Sequence, residues 1–320
     1  MNSFGQNFRI SVFGESHGKE VGVLIDGCPV GISFSEEDMT EDLLRRKSGA
    51  KGTTPRIESD KPSIKSGVFN GKTTGAPILI SFENSNTNSK DYDNFVKHPR
   101  PSHVDFVAEQ KYKGFQDYRG AGHFSGRITI GLLAAGVLAK KIISDISINA
   151  QLTAVAGNKN ISKAIDDAIQ AKTTIGGIIE CTAQNMPIGL GAPFFDSLES
   201  KISHLAFAIP GIKAIEFGLG FGASSLTGKE FNDLIINEKG KTKTNNSGGI
   251  NGGISNGNDL VFRVAVRPAA SIFSEQETYN FEHKKIETLQ ISGRHDVCIA
   301  LRVPVIIEAI TAIALADLKL

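Results

Sequence analysis

The chain has no tryptophan, only three cysteines and almost no charge imbalance: 35 basic residues face 34 acidic ones, for a net charge of +1. A near-neutral surface gives no electrostatic reason to expect nucleic acid or an anionic membrane as partner. Any positive potential must therefore be local. Cys28, Cys181 and Cys298 are odd in number and lack metal-type spacing, so buried reduced thiols are expected, with neither a disulfide framework nor a metal. The first nine residues contain no basic segment followed by an apolar run, which predicts no signal peptide. The most apolar windows, 130–143 and 304–318, are interrupted by Lys140, Lys141, Glu308 and Asp317 and are too short or too charged to span a bilayer. A cytoplasmic protein without a membrane segment is the expectation.

What is present is ordinary in bulk and unusual in one respect. A length of 320 residues allows one large domain or two smaller ones, and 40% hydrophobic with 22% charged residues is a globular composition. Glycine is abundant at 34 residues and gathers beside histidines and arginines, where backbone must approach something closely or take positive φ. Segments 8–13 and 21–25 read as strands. Ser35 opens a helix, with Asp38 in the capping-box position, acids in the first turn and Arg45, Arg46 and Lys47 in the last. Further strands are expected at 63–69, 77–82 and 260–267, and helices at 126–144, 198–208 and 304–318. The 128–139 stretch is apolar or small on nearly every face, which predicts a helix buried between two layers. Polar stretches 83–101 and 228–259 read as surface loops. The strand, Pro-x-Gly turn and helix after residue 21 resemble those after residue 177, which suggests a duplicated α/β unit in a single domain spanning 1–320.

Three groups of segments carry chemistry. Gly14-Glu15-Ser16-His17-Gly18 follows a strand and exposes a serine and a histidine. Its spacing matches the nucleophile elbow of serine hydrolases, but a strand, not a helix, is expected after it. Arg100-Pro101-Ser102-His103 and Asp117–Arg127 combine glycine turns with arginines, an anion-binding composition. Ser247–Gly257, Arg267–Ile272 and Gly293-Arg294-His295-Asp296 add glycine pairs able to lie against a planar ligand and a carboxylate able to act as a base. Histidine, which changes charge near neutral pH, suits proton transfer. Alone, the second group reads more readily as a glycine-rich turn with solvated arginines, and the third has the plain reading of a loop, a strand end and a salt-bridged turn.

In this order the segments resemble those of chorismate synthases over nearly the whole chain. The resemblance implies a β-α-β sandwich, an α/β (α+β) fold with central helices between antiparallel sheets, usually as a homotetramer. It implies the 1,4-anti elimination of phosphate from 5-enolpyruvylshikimate 3-phosphate to give chorismate, in the shikimate pathway of aromatic amino acid biosynthesis. Reduced FMN (FMNH2) is required without net redox change, and some members reduce it with NADPH. His17 and His103 match the family's functional histidines: His17 would protonate the flavin or keep it anionic, and His103 would serve the departing phosphate. Asp296 matches an acid near the flavin, proposed to help remove the substrate proton. His123, Phe124, Ser125, Pro210, Gly211, Gly252, Arg267, Pro268, Ala269, Ala270, Ser271 and Arg294 fall on flavin-binding positions. Ser16, Arg46, Lys51, Arg100 and Arg127 fall on substrate-binding ones. The chain departs from the family's usual Gly-Gly-Gly-Arg-Ser-Ser-Ala-Arg-Glu-Thr at 120–129, where His123 and Phe124 replace an arginine and a serine. Gly52 stands where a second basic residue is expected. A non-catalytic flavin- or phosphate-binding relative is the alternative these departures leave open.

Overall fold

The computed structural model describes residues 2–55, 58–85, 89–291, 293 and 295–320. In the first half, β1 (Ser3–Phe4), β2 (Arg9–Gly14) and β3 (Glu20–Asp26) run antiparallel. Ser35 then starts a 3₁₀ turn at Glu36–Met39 through the anticipated capping box, its N–H donating to Asp38 Oδ2 at 2.8 Å. The chain continues into α1 (Thr40–Arg46). The strand expected at 63–69 is two strands, β4 (Pro62–Ile64) and β5 (Val68–Phe69). Gly67 turns the chain between them with φ +80°, where a Cβ would run into Ile78. β5 pairs with β6 (Lys72–Thr73), and β7 (Ile78–Glu83) completes a sheet of order β1-β2-β3-β7-β4. Ile10, Val21, Val23, Ile25, Ile78, Ile80 and Phe82 are its buried face.

The stretch 83–101 is not a plain loop. It contains a helical turn at Ser89–Val96 whose Phe95 is buried with Leu289 and Ile291. The next helix, α2 (Asp105–Tyr112), has weak apolar periodicity and was not foreseen. α3 (Thr129–Ile142) is buried at every position from Thr129 to Ala139, as its composition predicts. β8 (Ser147–Val155), α4 (Ile161–Gln170), β9 (Gly177–Gln184), α5 (Leu198–Phe207) and β10 (Ile212–Phe217) follow. The 228–259 stretch also has structure: α6 (Gly228–Phe231) and a hairpin of β11 (Ile250–Asn251) with β12 (Ile254–Ser255). Asp233 ties this stretch together, accepting from Thr244 Oγ1 at 2.6 Å and the Asn246 N–H at 2.7 Å. After β13 (Leu260–Val266) come the hairpin of β14 (Gln276–Asn280) with β15 (Lys285–Leu289) and the long helix α7 (Pro304–Lys319).

The second sheet has the order β10-β13-β9-β8, antiparallel throughout. α3 packs on β2, β3 and β7, α7 packs on β8, β9 and α5, and the two helices pack on each other. Gly136 makes their close approach possible, since any side chain there would strike Ala309. The layers are sheet, helix, helix, sheet. That is an antiparallel α/β sandwich with central helices, as the sequence resemblance implies. The span Arg119–Ile142 is long and apolar enough to cross a membrane by composition, but 72% of its most apolar window is buried inside the protein.

Candidate active site

A cavity of about 1020 Å³ opens beside the ends of the central helices. Its first wall is the turn between β2 and β3. Gly14 leaves β2 at φ +94°, where any side chain would meet the backbone of Glu20, and the chain reverses through Ser16 and His17. Both are buried, at 1% and 7% exposure. A strand follows the turn, so the nucleophile-elbow alternative lacks the helix it requires. Ser16 N–H donates to Gly122 O at 3.0 Å, joining this turn to the glycine segment 119–124. There, Gly120, at φ +58°, lies so close to the His17 ring that a Cβ would overlap it. Tyr92 stands edge-on to the same ring at 5.1 Å.

The second wall is cationic. Arg46 at the end of α1 and Arg127 just before α3 are 4% and 8% exposed. Both pair with Asp60, Arg46 at 3.5 Å and Arg127 by a shorter contact. Arg46 also donates to Gly126 O at 3.0 Å, and Arg127 to Asn84 Oδ1 at 3.0 Å. Burial, reinforced by Arg302 and Arg127, pulls Arg46 below the usual guanidinium range, while Asp60 and Asp296 oppose the pull. Asp60 is therefore the counter-charge that lets two guanidinium groups lie buried together.

Arg100 and His103 form the third wall with Asp105. Arg100 donates from Nε and Nη2 to the two carboxylate oxygens, 2.8 Å each, and from Nη1 to Ser271 Oγ at 3.0 Å. His103 Nδ1 lies 2.5 Å from Asp105 Oδ1. Burial would raise the Asp105 carboxyl, but the hydrogen bonds from Arg100 and His103 hold it well below the carboxylate range. Asp296 closes the floor: its Oδ1 accepts the Thr54 N–H at 2.9 Å, and Arg302 Nη1 lies 3.6 Å from Oδ2.

The sequence-predicted residues divide plainly. Ser16, His17, Arg46, Arg100, His103, His123, Phe124, Ser125, Arg127, Pro210, Gly211, Arg267, Ala269, Ala270, Ser271 and Asp296 all line this one cavity. Gly211 O accepts the Arg267 N–H at 2.9 Å, which joins two of the sequence-predicted segments 56 positions apart in sequence (267 − 211). Lys51 is not brought in: it is exposed and paired with Asp166 on α4. Gly252 sits in the exposed β11–β12 turn, and Pro268 is exposed and not among the residues that line the cavity. Arg294 lies outside the described residues. His123 is tied to Gly14 O at 2.8 Å and Asn2 Oδ1 at 3.1 Å, so it fastens the turn rather than offering a cation to a ligand. His98, in a histidine-bearing turn, bonds Thr278 O and secures the β14–β15 hairpin.

Tyr92, Asp60, Asp105 and Arg302 were missed. Asp105 could have been found, because it stands two positions beyond His103, just past the run Arg100–His103. Arg302, from a segment with no motif, left no signal. Among the described residues no group of three or more His, Cys, Asp or Glu is placed to hold a metal.

A family model described as chorismate synthase matches residues 8–320. A chorismate synthase from Chitinophaga pinensis is 59% identical over 100% of this chain and 97% of its own length. One from Methanocaldococcus jannaschii is 38% identical over 100% of this chain and 96% of that protein. A solved structure described as a crystal structure of chorismate synthase shares the fold, with a TM-score of 0.75, 24% identity and coverage of 98% of this chain and 92% of that one.

Proposed function

This chain belongs to the chorismate synthase family, carbon–oxygen lyases of aromatic amino acid biosynthesis, and from that premise we propose which of its residues carry the reaction. The observation that bears the proposal is the single cavity in which His17, His103 and Asp296 meet with Arg46, Arg100 and Arg127. The chain is nearly neutral, so this buried cluster supplies the local positive potential that a phosphate and two carboxylates need. A volume of about 1020 Å³ stands at the upper end of the ~300–1,000 Å³ of single-ligand sites, room for a flat ring with a second ligand above it.

The residues fit a flavin on chemical grounds. Gly211, at φ +95° and bonded to Arg267, has Ile299 3.0 Å from where a Cβ would stand, and His123, Phe124 and Ser125 line the same cavity. When bound, reduced flavin mononucleotide supplies electron density to the elimination. Arg46, Arg100 and Arg127 hold the anionic groups of 5-enolpyruvylshikimate 3-phosphate. The carbon–oxygen bond to phosphate breaks and a ring proton is lost as the new double bond forms. His103 stands beside the departing phosphate. Asp296, oriented by the Thr54 N–H and Arg302, takes up the ring proton, and His17 sets the protonation of the flavin side. Preorganised cations where charge accumulates on phosphate contribute about 3 kcal/mol each.

The test is an anaerobic assay with reduced flavin and the enolpyruvyl substrate. Chorismate and phosphate should appear together and only with reduced flavin. Phosphate release at the same rate without flavin would end this reading. The proposal extends to a homotetramer in the cytoplasm. The exposed Ile188, Phe194 and Phe195 of one loop favour self-association, and light scattering at working concentration decides it.

A further inference from the structure

The arginines of the cavity differ in how many donors stay open. Arg46 meets protein oxygen with all three guanidinium nitrogens, Nε and Nη1 at Thr129 and Asp60 and Nη2 at Gly126 O. Arg127 does the same at Asn84, Asp60 and Glu83 O. Arg100 directs Nε and Nη2 to Asp105 and Nη1 to Ser271. Their side chains are only 5%, 6% and 4% exposed. These three supply charge and single remaining hydrogens, but every nitrogen is already aimed by a protein oxygen.

Arg302 is the contrast. It closes the short turn Ile299–Arg302 ahead of α7 and lines the cavity with a side chain 25% exposed. Nε donates to Arg46 O at 3.0 Å, which anchors the guanidinium at one nitrogen. Nη1 stands 3.6 Å from Asp296 Oδ2, an attraction of charges beyond hydrogen-bond length. Nη2 has no acceptor among the described residues. The end of the fork, with two N–H groups on each nitrogen, is therefore open. Arg267 is also sparsely bonded, with Nη1 on Pro268 O at 3.2 Å, but it belongs to the 267–271 segment given to the flavin.

We propose that Arg302 is a substrate-binding residue whose open Nη1/Nη2 fork takes the ring carboxylate of the substrate, two N–H groups to two oxygens. The inference rests on the reading of Asp296 given above. In a 1,4-elimination the proton leaves the ring carbon bonded to the one that bears the carboxylate. With that C–H turned to Asp296, the carboxylate falls beside the cation that neighbours Asp296, which is Arg302. Charge selects in the same direction. Asp296 already offsets part of the charge on the fork, so a singly charged carboxylate suits it better than a phosphate dianion. A flat two-pronged contact fixes the rotation of the ring as well as its place, which a point charge would not do. Arg302 thereby keeps the C–H aimed at Asp296.

Equilibrium binding to the full chain loaded with oxidised flavin mononucleotide, where nothing turns over, tests this. The probes are shikimate 3-phosphate, which is the substrate without its enolpyruvyl group, its ring methyl ester, and inorganic phosphate. Arg302→Met should weaken shikimate 3-phosphate about 10–10²-fold, the range of hydrogen bonds between charged groups, and phosphate less than about threefold. Arg302→Lys, which keeps the charge without the fork, should fall between wild type and Arg302→Met. Esterifying the carboxylate should weaken binding to the wild type by a similar factor and to Arg302→Met very little, since both changes remove one contact. A folded Arg302→Met that binds shikimate 3-phosphate like the wild type overturns the proposal. So does a loss shared equally by phosphate, which would make Arg302 a brace for Arg46. A loss seen with the enolpyruvyl substrate but not with shikimate 3-phosphate overturns it as well, by moving the fork to the side-chain carboxylate. Should Arg302→Met fail to fold, wild-type affinity in Arg302→Lys is the overturning result. Chorismate formation is read separately: its absence in the wild type would remove the reaction, while the carboxylate contact at Arg302 would stand.

Discussion

At the residue scale, the site depends on buried groups whose alternatives are worse. Asp60 neutralises Arg46 and Arg127 together, so Asp60→Ala leaves two buried guanidinium groups facing each other. Loss of a partner from a buried pair costs about 3–5 kcal/mol, and the variant should show both a lowered midpoint in urea and weaker substrate binding. Gly120 is the complementary case. Alanine at φ +58° is strained by itself, and its Cβ would occupy the space of the His17 ring. Gly120→Ala should retain the fold while slowing turnover at least about 10²-fold, the scale of a misplaced proton-transfer group. Asp296→Ala should cost as much in kcat, because Thr54 and Arg302 aim the carboxylate but cannot accept a proton. Wild-type rates in steady-state assays of both variants would show that the catalytic assignment is wrong.

At the element scale, the contact between α3 and α7 carries the molecule. Glu308, deep in α7, accepts the Arg45 fork at 2.6 and 2.7 Å, Lys140 at 3.2 Å and the Ala150 N–H at 3.0 Å. It thereby joins α1, α3, α7 and β8, and it fixes the helix whose next residue, Arg46, enters the cavity. Burial would raise its pKa, but Arg45 and Lys140 hold it lowered. Its contribution is complete above the ordinary value of 4.5 and is lost as pH falls toward the depressed folded value. Glu308→Gln should lower stability by about 3 kcal/mol at neutral pH, the lower end for a broken buried pair because Arg45 is part-exposed. It should also flatten stability against pH in the window between 4.5 and the depressed folded value, as read by urea midpoints across an acid series. At Gly136 no such compensation exists. Gly136→Leu forces the helices apart and should destabilise by about 1–3 kcal/mol or more, with the largest chemical shift changes along Ala309 and its neighbours.

At the scale of the whole molecule, a chain of net charge +1 concentrates Arg46, Arg100, Arg127, Arg267 and Arg302 around one cavity. A focused field of this kind draws a multiply charged ligand, while added salt screens its approach from outside. KM for the enolpyruvyl substrate should therefore rise with ionic strength while kcat changes little. A kcat that falls in parallel with binding would place the salt effect on the protein's structure instead.

The sequence by itself determined the strands β2, β3 and β7, the capping box at Ser35 and the buried helix α3, because each is written in local periodicity or in a side chain reaching three residues. It also determined the family, through collinear motifs that need no third dimension, and with it the candidates His17, His103 and Asp296. Only the tertiary structure decided that Lys51 pairs with Asp166 outside the cavity and that His123 clasps the β2 turn. The same holds for Asp60, which serves two arginines, and for Arg302, which steadies Asp296. The physical reason is that charge pairing depends on distance in space. Residues 67 positions apart, as Asp60 and Arg127 are, leave no periodic trace of the contact that makes both tolerable inside the protein.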